Sequence, residues 1–344
     1  MNKELGLPEE VLINLARTEN LNDDERAQLL SLLSKGLSEK DAKEYLSIIS
    51  GKRLPSLSSD VIAKRIFDPD EHPDRLTYLL RAVTGEKSIK VTGSTKSEGY
   101  IGFIDSKKLI YDIPAELEDG RRSDTEFQIK AQDFIFPRTD LYASDLLMIQ
   151  YSAEKGHKGD VTYDNVQGVI IIVLMSESPK MFRQYDKKSA RYIHRFISET
   201  AESGISYDPL AKKVYVQLDK AFRQFKNGTD GEENMRLQIL LSAMKDINNP
   251  AVQEKMKNDR MFSGILNEVS TLSQDKEVQI MLLAEKYAMS DIATMRKQDQ
   301  AKGIAKGRAE EKASAIEKLA QHYVETGAAK NRAEALDMAA LILK

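Results

Sequence analysis

The residues best suited to chemistry lie in one short stretch, Leu109 to Ile129, where two runs of alternating character flank an Asp-Gly pair at Asp119 and Gly120. This pattern predicts a β-hairpin with Gly120 in the left-handed conformation. In the register that sets Leu117 opposite Arg121, Asp112 lies opposite Glu126. Tyr111, Ile113, Ala115, Leu117, Phe127 and Ile129 then share an apolar face, and Asp112, Glu116, Asp124, Glu126 and Gln128 share the other. A two-residue loop would put Asp112 and Glu126 on opposite faces and break the alternation. Opposed carboxylates repel across a strand pair unless a cation offsets them. Oxygen-only ligands suit Mg²⁺ or Mn²⁺, which keep waters and bind phosphate oxygens, a combination that favours phosphodiester hydrolysis. The competing reading is an ordinary hairpin whose even-numbered face is charged because it faces water.

Composition removes other chemistries. The 344 residues contain no cysteine, which excludes disulfides, thiolate zinc sites and cysteine nucleophiles. The four histidines are scattered without metal-binding spacing. The net charge of −3 makes any nucleic-acid contact the work of a local patch. The purely apolar run from Val169 to Met175 is far shorter than the ~18 residues of a membrane span, and the polar start lacks a signal-peptide pattern. A cytoplasmic protein with no membrane contact is expected.

The elements that must position the carboxylates divide the chain in three. Residues 1–50 carry helix signals, with Pro8 opening one run, Asn22 and Glu25 suited to cap a second and Ser38 and Asp41 a third. Gly51 to Ser59 reads as a linker. Residues 57–227 form an α/β unit. Helices are expected at Asp60–Phe67, Asp74–Val83 and Phe136–Tyr151, and strands at Tyr100–Ile104, Leu109–Leu117, Arg122–Ile129, Gly168–Met175 and Lys213–Leu218. Residues 191–197 fit helix or strand. Residues 232–344 read as helical, with expected segments at Glu232–Ile247 and Val252–Ser270, from about Lys276, and from about Asn331. Gly303 and Gly307 lie among charged residues, which favours a solvated or self-associating helix.

The segment Asp112-x7-Gly120-Arg121-x4-Glu126-x-Gln128 resembles the core motif of the PD-(D/E)XK nuclease family transposases, also called recombination-promoting nucleases. Asp60 to Phe67 resembles the family's opening helix, and Leu79 to Gly85 the next helix and its exit. Arg138-Thr-Asp-Leu-Tyr142, followed by Tyr151 and Gly156, is similar to the helix after the catalytic strands. Gly168 to Leu174 and Val214 to Phe222 resemble its later strands, so that the likeness covers roughly residues 57–226. The glycine-containing tail from Gly303 is also similar to that of family members.

The resemblance implies a restriction-endonuclease-like α/β core, a mixed central sheet flanked by helices, with helical extensions at both ends. It implies Asp112 and Glu126 as ligands of Mg²⁺ or Mn²⁺, the backbone near Phe127 completing the shell, and Gln128 where the wider superfamily has a lysine. Glutamine carries no charge or proton at neutral pH, so Gln128 would position water. Asp60 is a candidate further ligand, with an N-cap as its alternative. Arg138 and Tyr142, one helical turn apart, are candidates to face the active site or phosphate, with helix-to-sheet packing as theirs.

A nuclease must also hold a polyanion. Lys180 to Lys226 contains eleven Lys and Arg against five Asp and Glu, concentrated at Lys187, Lys188, Arg191, Arg195, Lys212, Lys213, Arg223 and Lys226, the expected phosphate contacts. Tyr185, Tyr192 and His194, interleaved with them, are candidate base-stacking side chains. The expectation is a metal-dependent DNA endonuclease linked to DNA mobility, recombination or defence, with DNA as partner and self-association through the C-terminal helices. Its alternative is a degenerate nuclease fold acting as a scaffold.

Overall fold

The computed structural model describes residues 23–95, 110–151 and 164–342. Its helices are α1 (Asp23–Ser34), α2 (Glu39–Ile49), α3 (Asp60–Ile66), α4 (Pro73–Thr84), α5 (Ile135–Met148), α6 (Lys180–Arg183) and α7 (Leu218–Lys226), followed by α8 (Met235–Asp246), α9 (Pro250–Lys257), α10 (Arg260–Gln274), α11 (Lys276–Glu325) and α12 (Arg332–Ile342). Its strands are β1 (Val91–Ser94), β2 (Pro114–Leu117), β3 (Arg122–Gln128), β4 (Val169–Met175), β5 (Ile193–Arg195), β6 (Ser198–Glu199), β7 (Ser206–Tyr207) and β8 (Ala211–Gln217).

The strand β4, Val-Ile-Ile-Ile-Val-Leu-Met, is buried at every position, as a run of apolar and β-branched residues must be in a sheet covered on both sides. It forms parallel ladders with β3 and β8 at the centre of a six-stranded mixed sheet ordered β1-β2-β3-β4-β8-β5. The outer pairings β1–β2, β2–β3 and β5–β8 are antiparallel. Successive side chains of β4 enter opposite layers. Ile170, Ile172 and Leu174 join Leu76, Leu79, Ile62, Leu240 and Phe262 of the larger core, while Ile171, Val173 and Met175 join Ile135, Tyr142, Leu146 and Tyr215 beneath α5. The result is a sheet flanked by helices, with further helices at both ends of the chain, an architecture that fits a PD-(D/E)XK nuclease-like fold.

The hairpin has the expected register: Pro114 pairs with Asp124, Ala115 with Ser123 and Glu116 with Arg122, and Gly120 takes φ +83°. One expectation about it fails, and so does the competing reading of a wet face. The chain bends at Asp112 and Ile113, so β2 begins only at Pro114, and Tyr111 enters the layer opposite to that of Ile113. The even-numbered face of β3 is not wet. Asp124 is 0% and Glu126 5% exposed, because this part of the strand lies inside the sheet and α5 covers it.

The 51–59 segment is packed rather than free. Leu57 is fully buried, Asn248 clasps the Leu54 backbone through N–H···O bonds of 2.9 and 2.8 Å, and the Ser58 hydroxyl donates to Met244 O. Leu29, Ala42 and Leu46 at one end and Val278 and Leu282 at the other belong to the same core as the sheet. Residues 191–197 contain a strand, and the helix expected at 252–270 is two, with the Asp259 carboxylate accepting from Met261 N and Phe262 N to start the second. Ser38 caps α2 as expected, whereas Asn22, the Tyr100–Ile104 strand and Gly156 lie outside the described residues. The 50-residue α11 runs into a small hairpin with α12, held by Ala320, Ala329, Ala335 and Ala339. Among the described residues no helix is long and apolar enough to cross a membrane.

Candidate active site

The parallel pairing of β3 with β4 sets Asp124 beside Ile171 and Glu126 beside Val173, so both carboxyl groups enter the layer under α5. Asp112 reaches the same region from the bend. The ladder continues as far as Thr125 N donating to Ile113 O, and beyond it the Phe127 N–H donates to the Asp112 carboxylate, Oδ2, at 2.8 Å. The Asp112 side chain thus replaces a backbone acceptor that the bend has taken away.

From α5, Arg138 Nη2 donates to Glu126 Oε2 at 2.7 Å and to Tyr142 Oη at 2.8 Å. Its guanidinium lies 5.0 Å from the Tyr142 ring centroid. The expected i, i+4 pair therefore does converge on Glu126. Tyr142 is nearly buried, donates to Ile110 O at 3.3 Å and packs edge-on against Tyr111, whose hydroxyl donates to Asp145.

Burial is the main influence on these acids. It raises the Asp112 pKa, an effect partly offset by the Phe127 N–H and reinforced by the charge of Asp60. It also raises Glu126, with the charges of Asp124 and Asp112 adding to the shift, and Asp124, where a hydrogen bond with Glu126 opposes it. Tyr142 is pushed up to about 12, first by burial and then by Glu126. The Asp124 and Glu126 carboxyl groups face each other as a buried hydrogen-bonded pair, so a proton is held between them in the metal-free protein. Oxygen donors gathered in this way fit a hard divalent cation, which would displace that proton. Among the described residues no three His, Cys, Asp or Glu side chains form a ready-made metal cluster.

The other candidates are more dispersed. Gln128 is half-buried and its Nε2 donates to Lys130 O at 2.7 Å. Asp60 is the first residue of α3 rather than its cap, and it pairs with Lys64 at 2.9 Å. The end of that helix is instead held from α11, where Glu285 accepts from Ser59 Oγ at 2.5 Å and from Asp60 N at 2.9 Å. Burial raises the Glu285 pKa.

In the basic stretch, Arg191 pairs with Glu232 (3.1 Å), Lys212 with Glu86 and Asp208 (3.0 Å each), Lys213 with Asp140 and Arg223 with Asp186 (2.6 Å). Arg195 Nε donates to Val83 O, Lys226 lies over the Phe222 ring and Lys188 over Tyr185. Lys187, Lys188 and Tyr185 are exposed. Tyr192 is fully buried with its hydroxyl on Asp230, so it offers no face to a base, and His194 is bonded to Gln217 Oε1 at 2.9 Å. The alternation of the strand puts Asp124 on the right face without giving it a role. Glu285, more than 200 residues from the helix it holds, had no local signal.

No curated protein and no solved structure matches the chain. A family model does match, over residues 57–298, which takes in α3 through the first part of α11, the whole sheet and all three carboxylates. That is well over half of the chain. With a mixed sheet covered on both faces and acidic side chains brought together on one strand and the bend beside it, the chain belongs to the PD-(D/E)XK nuclease family transposases.

Proposed function

We propose that this protein is a divalent-metal-dependent DNA endonuclease acting in the cytoplasm in DNA mobility, recombination or defence, with Asp112 and Glu126 holding Mg²⁺ or Mn²⁺. The observation that carries this reading is Glu126, 5% exposed, lodged beside a second buried carboxyl group in a layer where few donors answer them. Such acids are costly to keep ionised in an apolar layer, so they hold a proton or receive a cation. The bound ion would supply Lewis-acid stabilisation of phosphate charge and a more acidic water.

The chain's own groups do the rest. Arg138, whose side chain is 35% exposed, stands beside Glu126 with guanidinium N–H groups able to take a phosphate oxygen. Gln128 cannot ionise, so its amide orients water without taking a proton. Phe127 N–H fixes the Asp112 carboxylate. Lys187 and Lys188, exposed on the segment after α6, supply phosphate contacts away from the cut.

The test is cleavage of supercoiled plasmid by the purified protein in Mg²⁺, Mn²⁺ or EDTA. Nicking with either metal, none in EDTA, and loss in Asp112→Ala and Glu126→Gln are expected. The absence of nicking under every condition contradicts the reading. One observation favours a second reading, a nuclease fold serving as a scaffold: the Gln128 amide turns to Lys130 O instead of toward the carboxylates. That reading expects DNA or protein binding without cleavage.

A further inference from the structure

A recess opens on the far side of α5 from the carboxylates. About 300 Å³ in volume, it lies between that helix and the root of the β6–β7 hairpin, walled by Phe136, Phe196 and Tyr215 and rimmed by Asp140, Ser198 and Lys213. The strand ladders fix its place. Glu126 pairs with Val173 and Val173 with Tyr215, so Glu126 and Tyr215 stand at one level of the sheet, two strand spacings or ~10 Å apart. Above them α5 uses two pairs one turn apart: Arg138 and Tyr142 turn to the side of Glu126, while Phe136 meets Tyr215 and Asp140 meets Lys213 on the other. A DNA strand advances ~3.4 Å per nucleotide, so a phosphate at the carboxylates and a base in the recess belong to the same few nucleotides.

The walls suit a flat ring. Phe196 continues β5, its N–H donating to Lys213 O at 3.1 Å, and its ring meets those of Phe136 and Tyr215 edge-on with centroids 5.2 Å away in each case. Tyr215 is itself set by a 2.5 Å hydrogen bond between its hydroxyl and Thr139 Oγ1. These contacts position the Phe196 ring although the residue is 51% exposed, which leaves the surface of a fixed aromatic ring open to a ligand. At the rim the Asp140–Lys213 ion pair offers an acceptor and a donor, and the Ser198 hydroxyl can be either. Aromatic walls beside a few opposed polar groups are what an unpaired nucleobase requires, stacking for its face and hydrogen bonds for its edge. An aliphatic ligand would use the rings and gain nothing from the rim.

We propose that this recess receives an unpaired nucleobase of the DNA strand, stacked on Phe196 a few nucleotides from the scissile phosphate. It rests on the DNA endonuclease reading above and adds to it a preference for single-stranded or locally opened DNA.

The experiment follows fluorescence anisotropy in EDTA, where no cutting interferes, with the full chain and two end-labelled strands of one length, an oligothymidylate and a strand of abasic deoxyribose phosphates. The two carry the same charge and differ only in their bases. Wild type should prefer the strand with bases by at least about fivefold, the lower end of what stacking one base contributes. Phe196→Ala should bind both strands as wild type binds the abasic one, and Phe196→Trp should keep the preference. Tyr207→Ala, which removes an aromatic 69% exposed and outside the recess, should behave as wild type. Equal binding of the two strands by wild type overturns the proposal even where no variant folds. A preference that survives in Phe196→Ala overturns it too, as does equal binding of the strands together with a dimer that Phe196→Ala abolishes, which would give the recess to a second copy of the chain. Base preference in a protein that nicks plasmid with no metal supports the recess while contradicting the catalytic reading. A wild type that binds neither strand nor duplex contradicts the DNA reading and the recess with it.

Discussion

At the scale of the residue, the acids under α5 set the pH behaviour of the metal-free protein. Burial raises the pKa of Asp112, Asp124 and Glu126 above the unfolded values, so the folded state holds protons that the unfolded state has released. The stability these groups contribute is present below the ordinary carboxylate range, about 4, and is lost as pH rises through their raised values. The loss is about 1.4 kcal/mol for each pH unit over which one extra proton is held. In EDTA the thermal midpoint should therefore fall from pH 5 toward pH 8, and saturating Mg²⁺ should flatten the decline because the ion replaces the protons. Calorimetry across that range checks both. Arg138→Ala leaves Glu126 Oε2 without its 2.7 Å partner and removes the proposed phosphate donor. Its expected cost is on the order of tenfold to a hundredfold in cleavage rate, with Arg138→Lys recovering part of it, measured on plasmid at saturating metal.

At the scale of the element, turns and caps determine whether the acids arrive where they must. Gly120 holds φ +83° at the tip of the hairpin, and a Cβ there would meet Gln167 Cγ at 3.3 Å. Gly120→Val should cost on the order of 1–2 kcal/mol, read from urea denaturation. Asp259 caps α10 and pairs with Arg236 at 2.6 Å, so Asp259→Ala should cost about 1–2 kcal/mol by the same measurement while leaving metal binding intact.

These elements also mark what the sequence could disclose. The hairpin register was legible because alternation and the Asp-Gly turn are local signals, and β4 because seven apolar residues in a row have few alternatives. The burial of Asp124 and Glu126 was not, since water or α5 can cover the same face of a strand and only the tertiary packing decides. The bend at Asp112 escaped for a related reason: Tyr111 changes layers to pack against Tyr142 and to reach Asp145, both more than 30 residues away. The 51–59 segment reads as a linker by composition, yet its Ser58 hydroxyl bonds to Met244 O of α8 and its Leu54 backbone to Asn248.

At the scale of the whole molecule, the proposed contact with a polyanion has to be made by a chain of net charge −3. Much of the basic stretch is balanced internally by Glu86, Asp140, Asp186 and Glu232. DNA binding should therefore show a shallow salt dependence. Replacing Lys187 and Lys188 together by alanine should reduce the slope of log affinity against log salt by about 2, one counterion per lost phosphate contact, in a fluorescence titration. The α11–α12 hairpin has its own small core, and the proposal that it is a self-association arm predicts a dimer in sedimentation that truncation before the hairpin abolishes.

The central claim is that the buried carboxylates are a catalytic metal site. It is tested most directly by comparing plasmid nicking in Mn²⁺ by the wild type and by Glu126→Gln, with the variant verified as folded. Metal-dependent nicking by the wild type is expected, with a loss of at least a hundredfold in a variant whose thermal midpoint in EDTA is unchanged or higher. Equal nicking by the two proteins would contradict it.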